Sequence, residues 1–188
     1  MRSYTPGDLR VFLRAVDAHL ARTAELKVMG GGAIALAYGV LLSTSDIDTF
    51  ETDLDAVADA IQKAQASTGL PIQVSPLGGS VGDWPENSGE RLIRVMPELP
   101  RLSIFALEQH DLALSKSVRG YENDLAAIEQ LHGRLALDRD VLVRRYVHEM
   151  AHAIGDPVRL DRNFILMIDR LFGETAAEEV EVLLASRR

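Results

Sequence analysis

A short apolar run, Leu26 to Met29, ends abruptly at Gly30-Gly31-Gly32, and thirteen residues later two aspartates stand one residue apart, Asp46 and Asp48. This arrangement leaves few options for the fold. The apolar run reads as a strand, and Ala33 to Tyr38 read as a short helix with Gly39 suited to end it. A second apolar stretch follows, and the aspartates open the next strand. Side chains alternate along a strand, so residues i and i+2 share a face. Asp46 and Asp48 should therefore point the same way, with Ile47 turned to the core. Two carboxylates on one face suit a hard cation such as Mg²⁺, which takes one or two carboxylates and fills its shell with phosphate oxygens and water. The glycines place bare N–H groups at a helix N-terminus, which favours anions. A phosphate cradle beside a Mg²⁺ site points to a nucleoside triphosphate.

These residues carry a resemblance. Gly31-Gly32, the spacer and Asp46-Ile47-Asp48 resemble the signature of the DNA polymerase β-like nucleotidyltransferase superfamily. Downstream, Asp111-Leu112-Ala113-Leu114-Ser115-Lys116, then Gly120 and Asp124-Leu125, resembles a segment of small bacterial nucleotidyltransferases related to AbiEii/MenT-type toxins, in particular the DUF6036 group. The likeness spans roughly residues 10 to 132. It implies transfer of a nucleoside monophosphate from a nucleoside triphosphate, with Mg²⁺ (or Mn²⁺), to a hydroxyl on tRNA or protein. The implied setting is toxin–antitoxin or defence, with a cognate antitoxin as partner. Asp46 and Asp48 would hold the metal, and Gly31 and Gly32, aided by Ser43 and Thr44, the triphosphate. Lys116 would neutralise the departing pyrophosphate, and Asp124 would order the lysine or the acceptor hydroxyl. This copy departs from the pattern where the family usually has two basic residues, since Tyr121 and Asn123 stand there.

The bulk properties fit this reading. A chain of 188 residues with 47% hydrophobic content suits one globular domain, or a compact domain with a helical extension. There is no cysteine, so disulfides and thiolate metal sites are excluded. No run approaches the ~20 apolar residues that span a bilayer, and the N-terminus lacks a signal peptide's apolar segment, so the chain reads as cytoplasmic and off the membrane. A net charge of −8 argues against strong nonspecific nucleic-acid binding.

Along the chain, apolar spacing predicts an amphipathic helix over 8–22, another over 53–67, and a strand over 72–75. Residues 76 to 90 are rich in glycine and proline and read as a loop. Strands are expected at 91–96 and 102–107. From there helices follow: one N-capped by Asp111 through Val118, then Glu122 to Leu131, Asp138 to Ala153, a stripe from Leu160 to Phe172, and Ala176 to Ala185. The expected architecture is α+β: a small mixed-sheet nucleotidyltransferase core flanked by helices (1–108), then a C-terminal helical bundle (109–188) packed on it.

Three rival features remain. Gly30-x-Gly32-x-x-Ala35 fits a dinucleotide fingerprint, but the helix has room for about two turns only and the acids open their strand. His148-Glu149-x-x-His152 fits the zinc-protease pattern, in which both histidines share a helix face and Glu149 activates water, with Glu174 as a conceivable third ligand. Val158, however, stands where a metzincin has its third histidine, and only thirty-six residues follow His152. Finally, neither 91–96 nor 102–107 supplies a third carboxylate, and Glu98 and Glu108 are the nearest candidates. The site would then hold one metal rather than two, or the domain would be a catalytically degenerate binding or antitoxin-like module.

Overall fold

The computed structural model describes residues 3–40, 44–76 and 84–187. Helix α1 (Pro6–His19) starts at a capping box: the Thr5 hydroxyl accepts the Asp8 N–H at 3.1 Å, and the Asp8 carboxylate accepts the Thr5 N–H at 2.9 Å. Strand β1 (Ala24–Met29) leads directly into α2 (Gly30–Tyr38), which Gly39 ends with a left-handed φ of 63°. Then come β2 (Asp46–Thr49), α3 (Ala58–Thr68), β3 (Gln73–Pro76), a 3₁₀ turn (Ser88–Arg91), β4 (Ile93–Val95) and β5 (Leu102–Ala106). The remainder is helical: α4 (Gln109–Arg119), α5 (Glu122–Leu135), α6 (Arg139–Glu149), α7 (Pro157–Phe172) and α8 (Glu174–Ala185). The fold is α+β, a mixed five-stranded sheet with C-terminal helices, as the sequence predicts.

The chain divides into two compact units. The first comprises Met1–Gly78 and Arg91–Leu107; the second comprises Gly79–Glu90 and Glu108–Arg188.

In the first unit the sheet runs β3-β2-β1-β5-β4. The β1–β5 and β2–β3 pairs are parallel, and β1–β2 and β4–β5 antiparallel. One face is largely apolar: Leu26, Val28, Ile47, Leu102, Ile104 and Ala106 are all buried, with Thr49 among them. Helix α2 packs on this face, with Gly32 against Ile47. The buried side chains of α1, led by Leu9, Phe12, Leu13 and Val16, complete the core. Asp17, 6% exposed, is a charge inside this core and is satisfied there. Its carboxylate accepts the N–H groups of Arg101 at 2.8 Å and Leu102 at 2.7 Å, which fixes where β5 begins.

In the second unit α7 contributes Leu160, Phe164, Met167 and Ile168 to the core, and Tyr146 of α6 stacks on Phe164 with ring centroids 3.9 Å apart. Several helix limits differ from the sequence expectation, and two of them bear on the site residues. Glu108, not Asp111, caps α4, accepting the His110 N–H at 3.1 Å; Asp111 lies in the first turn and is wholly buried. Helix α6 ends at Glu149 rather than Ala153. To continue, Ala153 N–H would have to reach the Glu149 carbonyl. That carbonyl instead accepts the Glu86 N–H at 3.1 Å, and Ala153 turns to Met150. Among the described residues no helix is long and apolar enough to cross a membrane.

Candidate functional site

The aspartates lie on β2 with the alternation expected of a strand: Ile47 and Thr49 are buried, while Asp46 and Asp48 are partly exposed on the other face. The register fixes their surroundings. Asp48 stands opposite Met29 of β1, so Met29, and Lys27 two residues before it, share its face. On β3, Gln73 and Ser75 pair with Asp46 and Asp48. The residues flanking the two acids on the neighbouring strands are therefore Met29, Lys27, Gln73 and Ser75, none of them a carboxylate. Lys27 is itself paired with Glu51 at 3.0 Å.

The three glycines bring α2 onto this strand, each in its own way. Gly30, at φ 68°, opens the helix in a conformation that side chains rarely adopt, and a Cβ there would collide with the Asp48 carboxylate. A Cβ on Gly31 would lie 3.3 Å from the Thr44 hydroxyl, and one on Gly32 3.2 Å from the Asp46 carbonyl oxygen. The first turn of α2 is thus pressed against 44–48, and the side chain of its N-cap residue, Met29, makes no capping bond. Thr44 is buried, and its hydroxyl donates to the Asp46 carbonyl at 3.0 Å, shaping the entry to β2. Ser43 lies outside the described residues. The glycine that meets Asp48 is Gly30, which the Gly-Gly motif leaves out. A signal for it was present, since only the glycine directly after β1 has to turn the chain from strand to helix.

The second set of residues lies in the second unit. Lys116 is 8% exposed, not on an open helix face. Its ammonium donates to Asp124 Oδ1 at 3.0 Å, and Asp124 is 1% exposed. Arg119, a basic residue outside the motif, also grips this carboxylate, with Nε to Oδ2 at 3.0 Å and an η-nitrogen to Oδ1 at 2.5 Å. Gly120, at φ 64°, ends α4 with Asn163 of α7 packed where its Cβ would be. The Asn163 amide donates to the Val118 and Arg119 carbonyls, both at 3.2 Å. Helix α7 thereby pins the turn that carries Arg119.

Neither candidate third carboxylate is idle. Glu98 pairs with Arg14 at 3.1 Å, and hydrogen bonds from its backbone neighbourhood and from Arg14 hold its carboxyl below the usual range. Glu108 belongs to a network. Its carboxylate bonds Arg145 and, at 2.7 Å, His110 Nδ1, while Arg145 also donates to Asp111 at 2.8 Å. The Asp138 N–H donates to His110 Nε2 at 2.9 Å, which assigns the ring proton to Nδ1, facing Glu108. Burial pushes the Glu108 carboxyl up, but the hydrogen bonds from His110 and Arg145 outweigh it and bring it down to about 2.

The zinc pattern does not assemble. Because α6 stops at Glu149, His148 and His152 are not a turn apart on one helix. His152 lies 3.5 Å from Glu86, and Glu174 opens α8. The cleft of about 230 Å³ beside this segment is lined by Tyr146, Met150, Leu160, Asp161 and Arg187 among others, and by neither histidine. Among the described residues no group of three or more His, Cys, Asp or Glu is placed to hold a metal ion.

A family model described as "Nucleotidyltransferase of unknown function (DUF6036)" matches residues 8–164. The chain belongs to this family. The match runs from α1 into α7 and so takes in both the glycine–aspartate corner and the Lys116–Asp124 pair. The curated proteins and the solved structures gave no match.

Proposed function

We propose that the chain is a Mg²⁺-dependent nucleotidyltransferase of the AbiEii/MenT-like kind, moving a nucleoside monophosphate from a nucleoside triphosphate to a hydroxyl on tRNA or protein. The observation that carries this reading is the placement of Asp46 and Asp48 on one face of β2, with the Asp48 carboxylate against the glycine that opens α2. Two hard oxygen donors beside a helix N-terminus fit a divalent cation that brings phosphate with it. Asp46 and Asp48 would hold the cation, Mn²⁺ serving in place of Mg²⁺. When bound, it would supply charge neutralisation across the phosphates.

The protein's own groups do the rest. The α2 N–H groups would orient the triphosphate, with Gly31 and Gly32 leaving their backbone bare and Thr44 or Ser43 as aids. The Lys116 ammonium, steadied by Asp124, would offset charge as the acceptor oxygen bonds the α-phosphorus and the bond to pyrophosphate breaks in line. The acceptor's proton passes to solvent. Catalysis then rests on positioning and electrostatics. A toxin–antitoxin or defence role, with a cognate antitoxin, is the setting the same kinship suggests, and a cytoplasmic location is the one the sequence pattern suggests. The lack of a carboxylate on the strand positions flanking Asp46 and Asp48 favours one second reading, a degenerate module that binds a nucleotide without transferring it.

Incubation with labelled nucleoside triphosphates, Mg²⁺ and total tRNA separates the two. Label on tRNA or protein that disappears in the Asp46→Ala/Asp48→Ala variant supports the transferase. Nucleotide retention with no transfer supports the module, and no retention of any nucleotide refutes both.

A further inference from the structure

The last two helices of the second unit leave a groove between them. Helices α7 and α8 are joined by Gly173 alone and pack along one another. Phe164, Met167 and Ile168 face the core, whereas Leu166 is 39% exposed. Beside it the groove encloses about 610 Å³. Helix α7 lines it with Arg162, Ile165, Leu166 and Asp169, the i, i+3, i+4, i+7 spacing of a single helix face. Helix α8 answers with the same spacing in Glu174, Ala177, Glu178 and Glu181. Each stripe runs about 10 Å, two helical turns.

The walls carry charge of one sign. Asp169, Glu174, Glu178 and Glu181 supply four negative charges against the one positive charge of Arg162. Among the described residues none of these four carboxylates forms an ion pair. The basic side chains around them are engaged elsewhere: Arg170 is forked onto Glu122, and Arg139 holds Glu179 at 2.7 Å. Solvated acids are ordinary, and so is one exposed leucine. Apolar side chains at the bottom of a groove of helical period, rimmed by unpaired acids, are a more specific arrangement.

That arrangement selects its occupant. A second copy of this chain does not suit it, because α8 carries four glutamates and no basic residue, and two such faces would repel. We infer that the α7–α8 groove docks a basic amphipathic helix of a partner protein. The partner's apolar stripe seats on Ile165, Leu166 and Ala177, and its flanking lysines or arginines meet the four acids. Apart from Arg162, the lining lies beyond residue 164, where the family match ends. The docking surface is independent of the nucleotide reading and lies wholly within the second unit.

The test is a fluorescence anisotropy titration of the full chain into a labelled synthetic peptide of about five helical turns, with leucines at i, i+3, i+4 and i+7 and lysines elsewhere. Two control peptides keep its length: one scatters the same leucines around the helix, and one replaces lysine with glutamate. Wild type is expected to bind the patterned lysine peptide, less tightly as NaCl is raised, and neither control comparably. Leu166→Ser should weaken binding by about fivefold or more. Glu178→Gln/Glu181→Gln should weaken it by a similar factor and flatten the salt dependence. Asp55→Asn/Glu90→Gln, the same loss of charge at exposed acids elsewhere, should bind as wild type does. All three substituted groove side chains are exposed, so melting temperatures should stay close to wild type. The inference is overturned if wild type does not bind the patterned peptide, or if either control peptide binds as well. It is equally overturned if the groove variants bind undiminished, or if Asp55→Asn/Glu90→Gln weakens binding as much, which would reduce the effect to bulk charge. A dimer in sedimentation that Leu166→Ser dissociates would assign the groove to a second copy and overturn it too.

Discussion

Two glycines in the molecule meet the same problem. Gly30 and Gly120 both hold a left-handed φ, 68° and 64°, and at each a polar side chain from another element occupies the space of the missing Cβ: Asp48 at the first, Asn163 at the second. The surroundings then diverge. Asp48 is partly exposed and ionisable, at the mouth of a helix. Asn163 is neutral, 6% exposed, and occupied with two carbonyls. The same backbone device thus serves an open corner in the first unit and a locked one in the second. The first is defined by backbone shape and strand register, the second by charge neutralised in a buried place.

The locked corner should be the more fragile to charge. Asp124→Asn leaves Lys116 and Arg119 facing each other without their carboxylate, and removing one partner of a buried pair costs about 3–5 kcal/mol. Urea unfolding followed through Trp84, the sole tryptophan, should register this loss. A loss below about 1 kcal/mol would mean that the pairing adds little and would erase the contrast. Gly120→Ala should cost about 1–2 kcal/mol from backbone strain, plus the displacement of Asn163. Adding Asn163→Ala should restore the packing part of that loss but not the strain.

At the open corner the expected balance is reversed. Gly30→Ala should cost a similar ~1–2 kcal/mol in stability, yet it should abolish Mg²⁺ binding measured by titration, because the new methyl group takes the place of the Asp48 carboxylate. Retained Mg²⁺ affinity would break the claim that shape defines this corner.

A subtler effect concerns pH. The Glu108 carboxyl is brought from 4.5 to about 2 in the folded chain. Its contribution to stability is therefore fully present above about 4.5 and is lost as pH falls toward 2. Glu108→Gln should flatten that stretch of the acid-unfolding profile relative to wild type. The smallest effect is expected at Glu98: Glu98→Gln should leave both stability and Mg²⁺ affinity as in wild type. A drop in Mg²⁺ affinity there would reinstate Glu98 as the missing third ligand.

The open corner was the more legible of the two in the sequence. A period of two places Asp46 and Asp48 on one face with no further information, and Gly39 and Gly69 end their helices as expected. The sequence did not show which glycine meets the acid, because that depends on the register of β1 against β2. The locked corner was half legible: the motif marks Lys116 and Asp124 but passes over Arg119, whose value lies in a shared partner rather than a pattern. Least legible were contacts between residues far apart in the chain. Arg145 joins Glu108 and Asp111 across more than thirty positions, and α6 is cut short by a backbone donor from Glu86. Tertiary partners decided both, and no local periodicity records them.

The Asn163 amide gives the locked corner its own spectroscopic readout. Its two protons resonate apart from the backbone, and both carbonyls they approach belong to the turn bearing Arg119. In a two-dimensional nitrogen–proton spectrum, that single side-chain doublet should move when Asp124→Asn or Gly120→Ala disturbs the turn, making one asparagine a resident gauge of its integrity.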